Sequence, residues 1–211
     1  MDGLFVDSEP VWLTAETEIM QDFDYQWSTE DQNNCLGGPL LRVGTYMYEK
    51  AGKVHSPEFF RDSLIELMAR KLSAGVAVLP GALSLLNIFK SQGIPAALVS
   101  ASPRILVDTV LNSIPEHSFL FSLSADDVEN PKPNPECYIK AAHNLKVDIS
   151  NCLVFEDSPT GVKAATSSGA SVIAIPHFVD IQPTNRLRVF SSLQDLDFNK
   201  LVSIYEQDKL V

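Results

Sequence analysis

A chain of 211 residues, with 45% hydrophobic and 20% charged side chains, has the make-up of one globular domain or one core carrying a modest insertion, which excludes long disorder. Sixteen basic against 27 acidic residues leave a formal net charge of −11, which argues against nucleic-acid or anionic-membrane partners; a phosphate ligand would need local positive charge and a metal cation. Three well-separated cysteines (Cys35, Cys137, Cys152), an acidic start at Met1-Asp2-Gly3 and no apolar stretch near the roughly 18 residues of a bilayer span predict reduced thiols and a cytoplasmic protein.

Residues 9–76 read as helical throughout. Val11, Trp12, Ala15, Ile19 and Phe23 recur at helical spacing behind Pro10, a favoured first-turn residue. Ser56-Pro57 opens a second helix, with Phe59, Phe60, Leu64, Leu67, Met68 and Leu72 as its apolar face. From residue 77 the pattern changes. Short apolar runs (Ile94–Val99, Phe119–Phe121, Cys152–Phe155 and Val172–Ile175) alternate with helical segments opening at Ser102-Pro103, Asn134-Pro135 and Ser158-Pro159. Continuously apolar strands separated by helices predict a parallel sheet covered on both faces. The expected fold is α/β, a Rossmann-like core over 1–8 and 77–211 with an all-helical cap inserted over 9–76.

In such sheets, ligands bind beyond the carboxyl ends of the strands. Ser100-Ala101-Ser102-Pro103 follows one strand, and its hydroxyls and helix-start N–H groups could cradle a phosphate; simple capping is the commoner meaning of Ser-x-Ser alone. Glu156-Asp157 follows another. Adjacent carboxylates there suit a hard cation such as Mg²⁺, although an isolated acidic pair is more often a solvated loop. Lys132 stands in Asn130-Pro131-Lys132-Pro133-Asn134-Pro135, where three alternating prolines stiffen the backbone; the lysine is either a fixed point charge for a phosphoryl group or part of a plain linker. Asp2-Gly3-Leu4-Phe5-Val6-Asp7 sets carboxylates around a glycine turn, or is an acidic tail.

Together these segments resemble the haloacid dehalogenase-like hydrolases, in the branch of small phosphatases and β-phosphoglucomutase-like enzymes. The family's first motif, Asp-x-Asp-Gly-x-x-x-Asp, is matched from its second position onward by Met1-Asp2-Gly3-Leu4-Phe5-Val6-Asp7. Its second, an apolar strand ending in Ser or Thr, is matched by Ala97-Leu98-Val99-Ser100. Its lysine is Lys132, and its acidic pair with a following glycine is Glu156-Asp157-Ser158-Pro159-Thr160-Gly161. The motifs stand in family order over nearly the whole chain. The resemblance implies that 9–76 is the family's cap.

The resemblance also implies a chemistry: Mg²⁺-dependent hydrolysis of small phosphorylated metabolites, sugar phosphates first among them, through an aspartyl-phosphate. Asp2 is the expected acid and base. Ser100, Ala101 and Lys132 are expected to hold the phosphoryl group, and Asp157, the Asp2 carbonyl and Glu156 the metal. Arg42, in the cap, is a candidate for gripping the rest of the substrate, though an ordinary solvated helix residue is its commoner fate. A monomer is expected. Two other readings stand beside this one: a phosphosugar mutase of the same branch, and a non-catalytic relative that binds Mg²⁺ or phosphate without turnover. One departure separates the chain from the family. The nucleophile's position precedes Met1, and the apolar central strand that would carry it is missing from this chain. The expectation is that the polypeptide starts upstream, with Met1 the residue between two aspartates.

Overall fold

A computed structural model describes residues 1–177 and 179–209. The chain divides into a core unit, Met1–Asp7, Ala77–Val107 and Ile114–Val211, and a helical unit, Ser8–Val76 with Asp108–Ser113. Strand β1 (Val6–Asp7) comes first.

The helical unit contains α1 (Glu9–Gln21), α2 (Thr29–Cys35), α3 (Leu40–Lys50) and α4 (Pro57–Ser73). Local sequence accounts for their starts. Pro10 lies in the first turn of α1, and Ser28 and Asp31 form a reciprocal capping box on α2. The Ser56 hydroxyl accepts the Phe59 amide, 3.2 Å away, at the start of α4. Met20, Met47, Phe60, Leu64 and Met68 are fully buried, each worth roughly 1.5–3 kcal/mol relative to exposure. This packing makes the unit, since the helices carry only short apolar faces.

The chain continues with β2 (Ala77–Val78), α5 (Ala82–Ser91), β3 (Ala97–Val99), α6 (Arg104–Ser113, whose residues from Asp108 on belong to the helical unit), β4 (Phe121–Leu123), α7 (Glu136–Leu145), β5 (Leu153–Glu156), α8 (Pro159–Ser168), β6 (Ser171–Ala174), β7 (Leu187–Val189) and α9 (Phe198–Lys209). β1 pairs antiparallel with β2. All other pairs are parallel: β3 with β4, and β5–β6–β7 in that order. Helix α6 carries the chain from β3 to β4 and α8 from β5 to β6, as parallel pairing requires. All four residues of β6 are buried, the expected state of a strand covered on both faces.

The apolar runs locate these strands but misplace their ends. Ile94 follows the positive-φ turn at Gly93 and is 43% exposed, so β3 begins only at Ala97. Leu120 is 68% exposed while Phe119 packs edge-on against Phe5, so β4 starts at Phe121. Helix α6 begins at Arg104, whose amide donates to Asp126 Oδ2 (2.8 Å) from the following loop.

Candidate active site

The carboxyl ends of β3 and β5 bring five of the sequence candidates into one unit. Ser100 directly follows β3 and is buried; its amide continues the pairing by donating to Leu123 O (2.9 Å). Its hydroxyl accepts the Ser102 amide at 3.1 Å, folding the Ser100-Ala101-Ser102 turn on itself with Ala101 exposed. The Ser102 hydroxyl donates to Asp2 Oδ2 (2.8 Å), fixing the first loop to the end of β3.

Lys132 reaches from the proline-rich loop to both strands. Its ammonium donates to Val99 O (3.2 Å) and to Glu156 Oε1 (2.7 Å), and lies 4.7 Å from the centre of the Tyr138 ring. Both side chains of the ion pair are more than nine-tenths buried. The Tyr138 hydroxyl also donates to Glu156 Oε1. Burial works to raise the Glu156 pKa, but the Lys132 charge and these hydrogen bonds outweigh it and hold the carboxyl below its ordinary range. Burial and the neighbouring Glu156 charge push the Tyr138 phenol well above its usual value, so it stays a donor.

Asp157 has the opposite balance. Burial first, then the charges of Glu156 and Asp2, push its carboxyl up to about 6 against the pull of the Met1 ammonium. Gly3 brings the first loop against it: the backbone has φ of +68°, and a Cβ there would stand 2.5 Å from Asp157 Oδ2. Gly161, in the first turn of α8, makes an equally close approach to the Glu156 carboxylate.

Among the described residues, no three Asp, Glu, His or Cys side chains gather as a preformed metal cage. The donor chemistry nevertheless fits a hard divalent cation. Asp157 is a carboxylate whose ionised form is opposed by its surroundings, including two like charges, and a cation beside it relieves that. Glu156 is differently placed, its carboxylate being occupied by Lys132 and Tyr138.

Arg42 lies in the helical unit. Its guanidinium donates to the carbonyls of Asn34 (2.5 Å), Cys35 (3.2 Å) and Leu36 (3.3 Å), closing the end of α2, and Gly38 leaves the space it occupies. Two contacts had no signal in the sequence. Tyr138 meets Glu156 from 18 positions away and Ser102 meets Asp2 from 100.

The haloacid dehalogenase-like hydrolase family matches residues 1–175. The phosphorylated carbohydrates phosphatase of Thermotoga maritima is 31% identical over 171 residues, 80% of this chain and 79% of that protein. Hexitol phosphatase B of Escherichia coli is 29% identical over 83% of this chain and 81% of its own length. The bifunctional riboflavin kinase/FMN phosphatase of Arabidopsis thaliana is 28% identical over 83% of this chain, which spans about half (47%) of that protein. Two solved structures share the fold. A HAD hydrolase of Entamoeba histolytica superposes with a TM-score of 0.80 at 21% identity, covering 98% of this chain and 96% of that one. The β-phosphoglucomutase of Clostridium difficile gives 0.78 at 22% identity, covering 100% and 96%.

Proposed function

Because the chain belongs to the haloacid dehalogenase-like hydrolases, we propose that its core unit binds the phosphate monoester of a small metabolite, a sugar phosphate by first choice, for Mg²⁺-dependent hydrolysis. The observation that carries this reading is the meeting of Asp2, Ser100, Lys132, Glu156 and Asp157 at the carboxyl ends of β3 and β5, with Lys132 bonded to both strands. The sugar-phosphate choice is supported by two relatives, named for phosphorylated carbohydrates and for hexitols.

Each residue has a role in this proposal. Lys132 faces the phosphoryl group as a point charge, its ammonium kept in place by Val99 O, Glu156 and the Tyr138 ring. Ser100 and the exposed turn at Ala101 offer hydroxyl and amide donors to phosphoryl oxygens. Asp157 and the Asp2 carbonyl would hold Mg²⁺, and the bound ion supplies positive charge beside the phosphoryl oxygens. Glu156 acts by fixing Lys132. The aspartyl-phosphate route needs an attacking carboxylate, whose oxygen would bond to phosphorus as the ester oxygen departs, with Asp2, steadied by Ser102, giving the departing oxygen a proton. Asp2 then takes a proton from the water that cleaves the aspartyl-phosphate.

The test compares two lysines. Lys140 donates to Asp127 O and is exposed. Titration with tungstate in the presence of Mg²⁺ should show Lys132→Ala weakening binding at least about tenfold, the loss of one charge-assisted contact, with Lys140→Ala unchanged. Equal effects would reduce Lys132 to a surface charge and remove the phosphate reading. Mg²⁺-dependent phosphate release from hexose phosphates is expected; binding without release would leave a non-catalytic receptor.

A further inference from the structure

Two residues in the first turn of α7, Glu136 and Tyr138, hold Lys132 in different ways. The Glu136 carboxylate accepts the amides of Glu129 (2.8 Å) and Asn130 (2.9 Å) and the Asn130 side chain (2.9 Å), which ties the proline-rich loop to the helix. That fixes the backbone, but not the ammonium at the far end of a flexible four-carbon stem.

The ammonium has three N–H donors. Val99 O (3.2 Å) takes one and Glu156 Oε1 (2.7 Å) another. The third has no acceptor oxygen among the described residues, although the side chain is only 8% exposed. The Tyr138 ring, 4.7 Å away at its centre, is a weaker partner than an anionic oxygen.

Glu156 shows the complementary count. A carboxylate offers about four acceptor positions. Four donors meet them here: Lys132 Nζ and the Tyr138 hydroxyl at Oε1, and the Asp157 amide (3.2 Å) and Ser158 hydroxyl (3.4 Å) at Oε2. Nothing is left on this carboxylate for the third N–H of Lys132. Without the Tyr138 hydroxyl, an open position on Oε1 would stand beside that N–H, and a charge-assisted bond in a buried site would draw it in.

We propose that Tyr138 is a positioning residue for phosphate binding: its hydroxyl fills the last acceptor position of Glu156 Oε1 and so reserves one N–H of Lys132 for a phosphoryl oxygen. The inference deepens the phosphate reading above and rests on it. Packing alone does not call for the hydroxyl. Tyr138 belongs to an apolar cluster with Cys137, Val154, Val162 and Ala165, where a phenylalanine ring would fill the same space.

The experiment titrates tungstate, with Mg²⁺ present, into four forms of the whole chain: the parent, Tyr138→Phe, Lys132→Ala and the double variant. Tyr138→Phe keeps the ring and should weaken tungstate about fivefold, the worth of one hydrogen bond. Because the hydroxyl acts through Lys132, the same substitution in the Lys132→Ala background should weaken binding no further. A general loosening of the core would weaken both backgrounds alike. A second readout needs only the Tyr138→Phe chain: the nitrogen resonance of Lys132 Nζ, without ligand, should shift as its third N–H turns to Glu156. Parent-like tungstate binding by Tyr138→Phe, beside a weakened Lys132→Ala, would overturn the positioning role alone. So would the same loss in both backgrounds, or an unmoved Lys132 resonance. Equal binding by the parent and Lys132→Ala would instead remove the phosphate reading, and this inference with it.

Discussion

The buried pair Lys132–Glu156 gives the sharpest test of the site, because it joins stability to phosphate binding. The two side chains are 8% and 7% exposed and meet at 2.7 Å. Removing one partner of such a pair strands the other charge away from water and costs about 3–5 kcal/mol, whereas removing both costs far less. Lys132→Met should therefore destabilise the core unit by about 3–5 kcal/mol at pH 7.5. Lys132→Met combined with Glu156→Gln should recover much of that loss, because Tyr138 can still donate to the amide oxygen. The pH dependence has a definite sign. In the parent chain the Glu156 pKa is depressed, so its contribution is present above the unfolded carboxyl value near 4.5 and is lost as pH falls through the lower folded value. Without Lys132, burial is opposed only by weaker contacts and the folded pKa rises above 4.5. The single variant's deficit should then shrink as pH drops from 7.5 towards 5, as Glu156 takes up a proton. Urea unfolding of the parent, Lys132→Met, Glu156→Gln and the double variant at pH 7.5 and 5.5 measures the cycle. A Lys132→Met loss below about 1 kcal/mol at pH 7.5, the level of an exposed pair, would refute the buried-pair reasoning.

Asp157→Ala should abolish Mg²⁺-dependent stabilisation, read as the shift in melting temperature on adding Mg²⁺; a shift equal to the parent's would end its assignment as a ligand. Gly161→Ala puts a methyl group into the Glu156 carboxylate, so a loss of about 1–3 kcal/mol in urea, with weaker tungstate binding, is expected; parent-like values would mean the carboxylate moves aside without cost. In the helical unit, Glu16 is 3% exposed with one hydrogen bond from Trp27 Nε1 (3.0 Å), and burial, reinforced by Glu9, pushes its carboxyl up to about 7. The folded state thus holds the proton more tightly than the unfolded one. Stability falls as pH rises from about 4.5 to about 7, by at most roughly 3 kcal/mol. Glu16→Gln should flatten that slope and stabilise the chain at pH 8; an unchanged slope would clear Glu16 as its source.

The legible parts of this fold are those where one local pattern answers one physical demand. A strand buried on both faces must be apolar throughout, so Val172-Ile173-Ala174 declares itself. A helix start needs an oxygen for its orphan amides, so Ser56 and Ser158 mark α4 and α8. Where the demand is met from a distance, the signal vanishes. Asp126, from the loop after β4, accepts the first amide of α6, and the Ser102 hydroxyl reaches Asp2. The start of α5 is Gly81, with a left-handed backbone and no side-chain cap, and β1 and β2 are two-residue strands paired across about 70 positions. The site residues were legible as motif positions. Their working partners, Tyr138 for Glu156 and Ser102 for Asp2, depend on which elements come together in space, and a single sequence carries no local mark of that.

Charge connects the composition of the chain to the proposed chemistry. The site sets Asp2, Glu156 and Asp157 around one lysine, and that lysine is already paired with Glu156. A phosphate dianion arriving there meets a net negative surround, in a protein whose formal charge is −11. At about 4 Å and an effective dielectric near 20, each unit charge pair is worth about 4 kcal/mol, enough to exclude the ligand unless further positive charge is present. Lys132 alone cannot supply it without surrendering Glu156. A divalent cation at Asp157 offsets two charges at once and leaves the Lys132–Glu156 pair intact. On the proposed reading the two ligands are therefore coupled, and linkage makes the coupling reciprocal: phosphate must tighten Mg²⁺ by the same factor that Mg²⁺ tightens phosphate. On this reading the chain's acidity makes the cation a condition of phosphate binding.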